Sequence, residues 1–220
     1  MTADEAYDPT KAGLSMFYMN TYELDADGSQ LKGEDGFPIE NGRIATTQYG
    51  DASDYILGDV LPEVYGGFGT SFDVFGFDLS VDFTYQLGGY VYDGTYASLM
   101  SLDQGFGIHE DMLNAWSPEN AGSNIPRMTY NDSYMASTSD RFLTDASFLS
   151  LQNVTLGYTL PKSFTTKFGV EKLRLYVVGD NLWVWSKRKG LDPRQSATGG
   201  ASSALYSSIR TISGGVSITF

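Results

Sequence analysis

The sequence predicts an all-β protein of antiparallel, up-and-down strands, and three observations carry the prediction. The first is strict period-two alternation. Phe77, Leu79, Val81, Phe83, Tyr85 and Leu87 alternate with Asp78, Ser80, Asp82, Thr84 and Gln86. Successive side chains of a strand point to opposite faces, so one face is apolar and the other wet. The second is composition. There are 25 Gly, 15 Tyr and 13 Phe while hydrophobic residues reach only 41%, which suits many short strands joined by turns. The third is the connections, which alternate short and long along the chain.

Gly13 to Leu24 is aromatic-rich and reads as a strand whose facing the sequence leaves open, because Leu14, Met16 and Tyr18 lie opposite Phe17 and Met19. Asp25 to Glu63 is Asp, Gly, Pro and isolated aromatics, which is loop chemistry. Within it, Asp25-Ala-Asp27-Gly28-Ser29 resembles a calcium loop but lacks the ligand spacing and closing Glu of one, so it reads as a turn. From Tyr65 to Val74, Phe68, Thr70, Phe72 and Val74 share one face. Phe75-Gly76 then joins this strand to the run from Phe77 to Leu87. That second run is long for a globular strand. It fits a tilted membrane-spanning strand with its wet side toward a polar lumen.

Tyr90 to Ala146 is long and irregular, and it holds the sole histidine, His109. His109 beside Glu110 and Asp111 makes neither a metal site nor a triad and reads as a surface histidine. Val154, Leu156, Tyr158 and Leu160 alternate with Asn153, Thr155, Gly157 and Thr159. Leu149 and Leu151 have the opposite parity, which predicts a bulge near Gln152. Pro161 ends that strand. Lys172 to Trp183 is the next, with Tyr176 and Val178 opposite Leu173, Leu175 and Val177, so its facing is ambiguous. Trp183 and Trp185 close it as interfacial aromatics do. After a polar stretch from Ser186 to Ser208, the last strand runs from Arg210 to Phe220. Ile212, Gly214, Val216, Ile218 and Phe220 fall on one face, and Thr211, Ser213, Gly215, Ser217 and Thr219 on the other.

The connections 75–76 and 161–171 are short, while 25–63, 90–146 and 186–208 are long. Short turns at one end and long loops at the other is the plan of an outer-membrane barrel, with the short turns in the periplasm. About six strands is fewer than the eight of the smallest such barrels. The expectation is therefore that residues 1–220 form one portion of a larger up-and-down transmembrane β-barrel with long extracellular loops. The N-terminal residues show no basic stretch followed by an apolar one, so no secretory signal is expected here.

Several function classes drop out. No apolar run approaches the roughly 20 residues of a spanning helix. The net charge of −13 argues against nucleic acid, whose phosphates need Lys and Arg. Without cysteine, disulfides, thiol nucleophiles and Cys-based zinc sites are excluded. No nucleophile elbow, phosphate loop or zinc motif is present, so no catalytic, cofactor-binding or metal residue is expected and the chain does not read as an enzyme.

Two resemblances add to this reading. The spacing Ser213-x-Gly215-x-x-Ile218-x-Phe220 resembles the C-terminal assembly signal of bacterial outer-membrane barrels, with Ile218 where an aromatic is commoner. Asp145 to Pro161, Leu173 to Leu182 and Gly190-Leu-Asp-Pro-Arg194 resemble the end of a SusC/RagA-type TonB-dependent outer-membrane transporter. Leu61 to Thr70, Gly76 to Ser80, Tyr85 to Gly89 and Tyr92-Asp93 match in the same order. Ser150 stands where that family often has Arg, and Asp180 where Gln is common.

The resemblance implies a barrel of roughly 22 strands whose lumen is plugged. It implies import of glycans or peptides, energised by TonB through an N-terminal part not seen in these residues, under a SusD-type surface lipoprotein. The expected location is the outer membrane of a Bacteroidetes-like Gram-negative cell, in contact with its lipid and its barrel assembly machinery. Asn181, Asp192 and Pro193 read as turn-forming. Trp116, Tyr130 and Tyr134 are the candidates for contact with a ligand or the lid, since an aromatic with a polar tip stacks on sugars and packs on protein alike. The alternative is a secreted all-β carbohydrate-binding module.

Overall fold

The computed structural model describes residues 13–102, 107–129, 134–188, 190–195 and 207–220. The chain divides into two units, 1–57 with 96–139 and 58–95 with 140–220.

In the first unit, β1 (Phe17–Tyr22) pairs antiparallel with β2 (Glu40–Thr46), Met19 opposite Ile44, with an irregularity between Thr21 and Tyr22. Bridges Leu24–Gln30 and Lys32–Pro38 carry the pairing into residues 23–39. One oxygen of Asp25 accepts the backbone N–H of Asp27 and of Ser29, each at 2.9 Å, and Gly28 takes φ +81°. This is an Asx-type turn, as the sequence predicts. Among the described residues, no group of three His, Asp or Glu side chains is placed to hold a metal. Met100, Met112 and Met135 are buried. His109 caps the 3-10 helix Glu110–Asn114, its Nδ1 accepting the Asp111 N–H at 3.1 Å. The Tyr96 ring meets the imidazole edge to face, and the Tyr96 hydroxyl donates to Asp111 at 2.8 Å. His109 therefore has a structural post.

The second unit is organised by one antiparallel sheet. Its long strands are β3 (Val64–Val74) and β4 (Phe77–Leu87), followed by the short β5 (Tyr90–Tyr92) and β6 (Leu143–Asp145), which pair with each other apart from it. After these come β7 (Phe148–Thr159), β8 (Lys172–Ser186) and β9 (Thr211–Thr219). The large sheet has the order β3-β4-β7-β8-β9, so each long strand lies beside the next. Residues 75–76, 160–171 and the chain end lie at one end of the sheet. At the other end β4 and β8 finish and β7 and β9 begin. The short connection before β8 holds the one-turn helix Lys162–Thr165 and the 3-10 turn Thr166–Phe168, closed by Gly169 at φ +71°.

Two expectations are corrected. The first of the six predicted strands does not join the large sheet. β1 pairs with β2 instead, inside the stretch read as loop. β2, of sequence ENGRIAT, escapes prediction because it has no apolar alternation. β5 and β6 are only three residues each and interrupt the long irregular stretch.

The β3–β4 turn carries a visible local cost. Phe75 and Gly76 both have positive φ, +51° and +86°, as a two-residue type I′ hairpin turn requires. Glycine adopts this region freely, whereas a Phe there costs on the order of 1 kcal/mol. The ring is 97% exposed and recovers nothing by packing. Phe75→Asn is expected to stabilise the folded protein by about 1 kcal/mol, read as a rise in the thermal unfolding midpoint.

Candidate functional site: a two-faced sheet

The strand registers sort the side chains of the sheet into two faces. Phe68 opposes Phe83, Thr70 opposes Val81, and Phe72 opposes Leu79. Leu79 and Val81 in turn oppose Leu156 and Val154. Leu156 opposes Val177, Tyr158 opposes Leu175, and Leu175 opposes Val216. The register breaks at Gln152 on β7, where the change of parity predicts it. The break returns Leu149 and Leu151 to the same face as Leu156. On β8 the register settles what the sequence leaves ambiguous: Leu173, Leu175 and Val177 belong to the apolar face, and Tyr176 and Val178 to the polar one.

The apolar face is uncovered. Phe68, Phe72, Leu156, Val177, Trp183, Trp185 and Val216 are all exposed. Covering one such side chain is worth about 1.5–3 kcal/mol, and monomeric soluble proteins rarely leave a contiguous patch of this kind open.

The polar face is cross-linked by side chains. Arg174 Nε donates to Asp78 Oδ1 at 2.9 Å, and Arg174 Nη2 donates to Asp78 Oδ2. The pair joins β4 to β8 over the top of β7, and Gly157 lies beneath it, where a Cβ would collide with both side chains. Further along, Asn153 donates to Asp180 at 2.7 Å. Gln152, at the bulge of β7, donates to Asn181 Oδ1 at 3.1 Å. Asn181 has φ +52°, a region that Asn tolerates better than most residues. It lies inside β8 rather than at a strand end, which corrects the sequence reading of it as a turn residue.

Arg194 enters at these paired irregularities. Its Nη1 donates to Ser150 Oγ at 2.8 Å and lies 3.4 Å from Asn181 Oδ1, while Nε and Nη2 grip Asp192 at 2.8 and 2.7 Å. Ser150 is fully buried, and the Asp192 side chain is only 2% exposed. The segment around Pro193–Gln195 is thereby pinned to the wall of the sheet. The sequence signal for this was Gly190-Leu-Asp-Pro-Arg194, opposite charges two residues apart in a polar stretch. Nothing in it points to Ser150 as the receptor. Burial pushes the Asp192 carboxyl up. The Arg194 hydrogen bond and charge, with the backbone N–H groups of Arg194 and Ser208, outweigh burial and hold it below the usual carboxylate range.

A lowered folded-state value stabilises the fold above the unfolded carboxyl value of about 4. That stabilisation is lost as pH falls through the folded value. Acid titration followed by tryptophan fluorescence, with Trp183 and Trp185 close by in β8, is expected to show a transition below pH ~4. Asp192→Asn removes the part of it due to this carboxyl.

Of the loop aromatics, Trp116 and Tyr134 are described, both within the first unit. Trp116 lies over Gly13, with its backbone N–H on the Ile125 carbonyl at 2.9 Å. Tyr134 joins an aromatic cluster with Phe17 and Tyr49, ring centroids 6.3 Å from each. Each is half-buried in a packing contact of its own. Tyr130 lies outside the described residues. In the terminal strand, Ser213 and Gly215 fall on the polar face and Ile218 on the apolar one, and Phe220 follows the strand, 86% exposed.

Comparison with known proteins fits this two-faced sheet. No protein-family model matches the chain. Over 191 residues it is 32% identical to TonB-dependent receptor P3 of Formosa agariphila, covering 82% of this chain and 18% of that one. It is 31% identical over 169 residues to TonB-dependent receptor SusC of Bacteroides thetaiotaomicron, covering 74% and 16%. The structure of the RagAB peptide transporter superposes with a TM-score of 0.66 at 25% identity, covering 94% of this chain and 23% of that one. These relatives are receptors and transporters, not enzymes. The chain belongs to the TonB-dependent receptors, and SusC and RagAB place it in the SusC/RagA type. It spans less than a quarter of the length of these relatives.

Proposed function

We propose that β3, β4, β7, β8 and β9 are wall strands of a transmembrane barrel of roughly 22 strands, with β9 as its closing strand. The apolar face meets outer-membrane lipid and the polar face lines the lumen. The observation that carries this reading is the uncovered apolar face running across all five strands. The whole protein is then an outer-membrane importer energised through TonB, which engages a part of the protein other than these strands. Its cargo is a glycan or a peptide, the two classes the family resemblance implies; similarity to the RagAB peptide transporter supports the second. A SusD-type lipoprotein covers the long-loop end, where Trp116, Tyr130 and Tyr134 are the candidate contacts. The barrel assembly machinery reads the terminal signal formed by Ser213, Gly215, Ile218 and Phe220.

An antibody raised against residues 186–208 tests the reading in fractionated source cells. The expected result is a band in the outer-membrane fraction whose mobility changes on boiling, as that of a folded barrel does. A soluble band unchanged by heating contradicts it and favours the carbohydrate-binding module.

A further inference from the structure

The last strand has a register problem. On its polar face β9 presents Thr211, Ser213, Gly215, Ser217 and Thr219, a run of small residues nearly identical at every step. A slip by one residue would exchange the two faces and is excluded by the apolar pattern. A slip by two keeps the faces and changes almost nothing the pattern can sense, and Gly-rich strands are those whose register is least specified.

On the polar face one contact distinguishes the positions. Tyr176 on β8 is the register partner of Gly215, and its ring lies over that glycine so that a Cβ there would collide with the ring atoms Cε1 and Cζ and with the hydroxyl Oη. The ring is itself held. The Arg174 guanidinium stacks over it at 5.0 Å, and Arg174 is fixed by Asp78 across Gly157. A row of side chains thus runs from β4 over β7 to β8 and ends in the one slot of β9's polar face that lacks a Cβ.

We infer that Tyr176 and Gly215 form a register key that selects the pairing of β9 on β8, with Asp78 and Arg174 as positioning residues for the ring. A slip by two residues puts Ser213 or Ser217 under the ring, and the added Cβ drives it from its seat. This also gives a physical role to a glycine of the terminal signal. The inference depends on the sheet pairing alone and not on what solvent the sheet meets.

Residues 1–220 contain no cysteine, so introduced pairs report register once any cysteine outside them is replaced by Ser. Val178 opposes Ser213, and after the slip that seats Ser213 under the ring it would oppose Thr211. In the whole protein made in its own cell, Val178→Cys with Ser213→Cys is expected to cross-link and Val178→Cys with Thr211→Cys is not. Adding Tyr176→Ala is expected to weaken the first cross-link and bring up the second. Gly215→Ala is expected to do the same while Tyr176 is present, and to add nothing once Tyr176 is Ala. Tyr176→Phe keeps the ring and is expected to behave as the parent.

Undiminished native cross-linking in Tyr176→Ala overturns the inference, and so does additivity of the two substitutions. If Tyr176→Ala yields no protein, Tyr176→Phe decides: normal accumulation upholds the key and its loss overturns it. Fractionation of the same cells tests the membrane assignment separately, since the cross-links read pairing in either compartment.

Discussion

Val81→Arg is expected to abolish assembly into the outer membrane, while Asp82→Arg, one residue along the same strand, is expected to leave it intact. Val81 lies midway along β4, flanked on the apolar face by Thr70 and Val154. If that face meets lipid, this position is close to the bilayer midplane, where an arginine costs about 2–4 kcal/mol. Asp82 points the other way, over Gly69 and beside Asn153, where a charged side chain keeps its water. Membrane level and heat-modifiable mobility of the two variants measure the difference. Equal tolerance at both positions contradicts the facing.

The second large effect is expected from Arg194→Ala. The substitution strands the Asp192 carboxylate, nearly buried, without its guanidinium, and removes a donor from the fully buried Ser150. Removing one partner of a buried pair costs about 3–5 kcal/mol. The lower end is expected here, because the Arg194 side chain keeps 16% exposure. Arg194→Lys keeps the charge but not the fork that reaches Asp192 and Ser150 together, so it is expected to recover only part of the loss. Equilibrium unfolding in detergent measures both. If the alanine variant is as stable as the parent, the pinning of 190–195 to the sheet contributes nothing to the fold.

What the sequence makes legible follows from periodicity. β4 and β9 alternate over their whole length, β3 does so from Phe68 onward, and all three are read correctly; the parity change between Leu151 and Val154 locates the bulge of β7. β8 resists the same reading because Tyr176 is an aromatic on the polar face, there to cover Gly215 rather than to join the apolar side. β2, β5 and β6 carry no alternation, since their pairing rests on backbone hydrogen bonds that the side-chain pattern does not record. The polar links are hidden for another reason. Asp78 and Arg174 lie 96 residues apart, and only the sheet order brings them to either side of Gly157. Arg194 reaches Ser150 from 44 residues away. Family resemblance points to the segment around Asp192 and Pro193, but it gives no account of what that segment holds.

One face of the sheet is expected to dissolve in lipid and the other to be wetted. A scan of single cysteines through β4, each carrying a nitroxide, measures this, since residues 1–220 contain no cysteine that would take the label. In native outer membranes, labels at Leu79, Val81 and Phe83 are expected to relax with lipid-dissolved oxygen. Labels at Ser80, Asp82 and Thr84 are expected to relax with a water-soluble nickel complex, giving a period of two along the strand. Equal access of the nickel complex to all six positions would show that both faces are in water, and the membrane-wall account would be wrong.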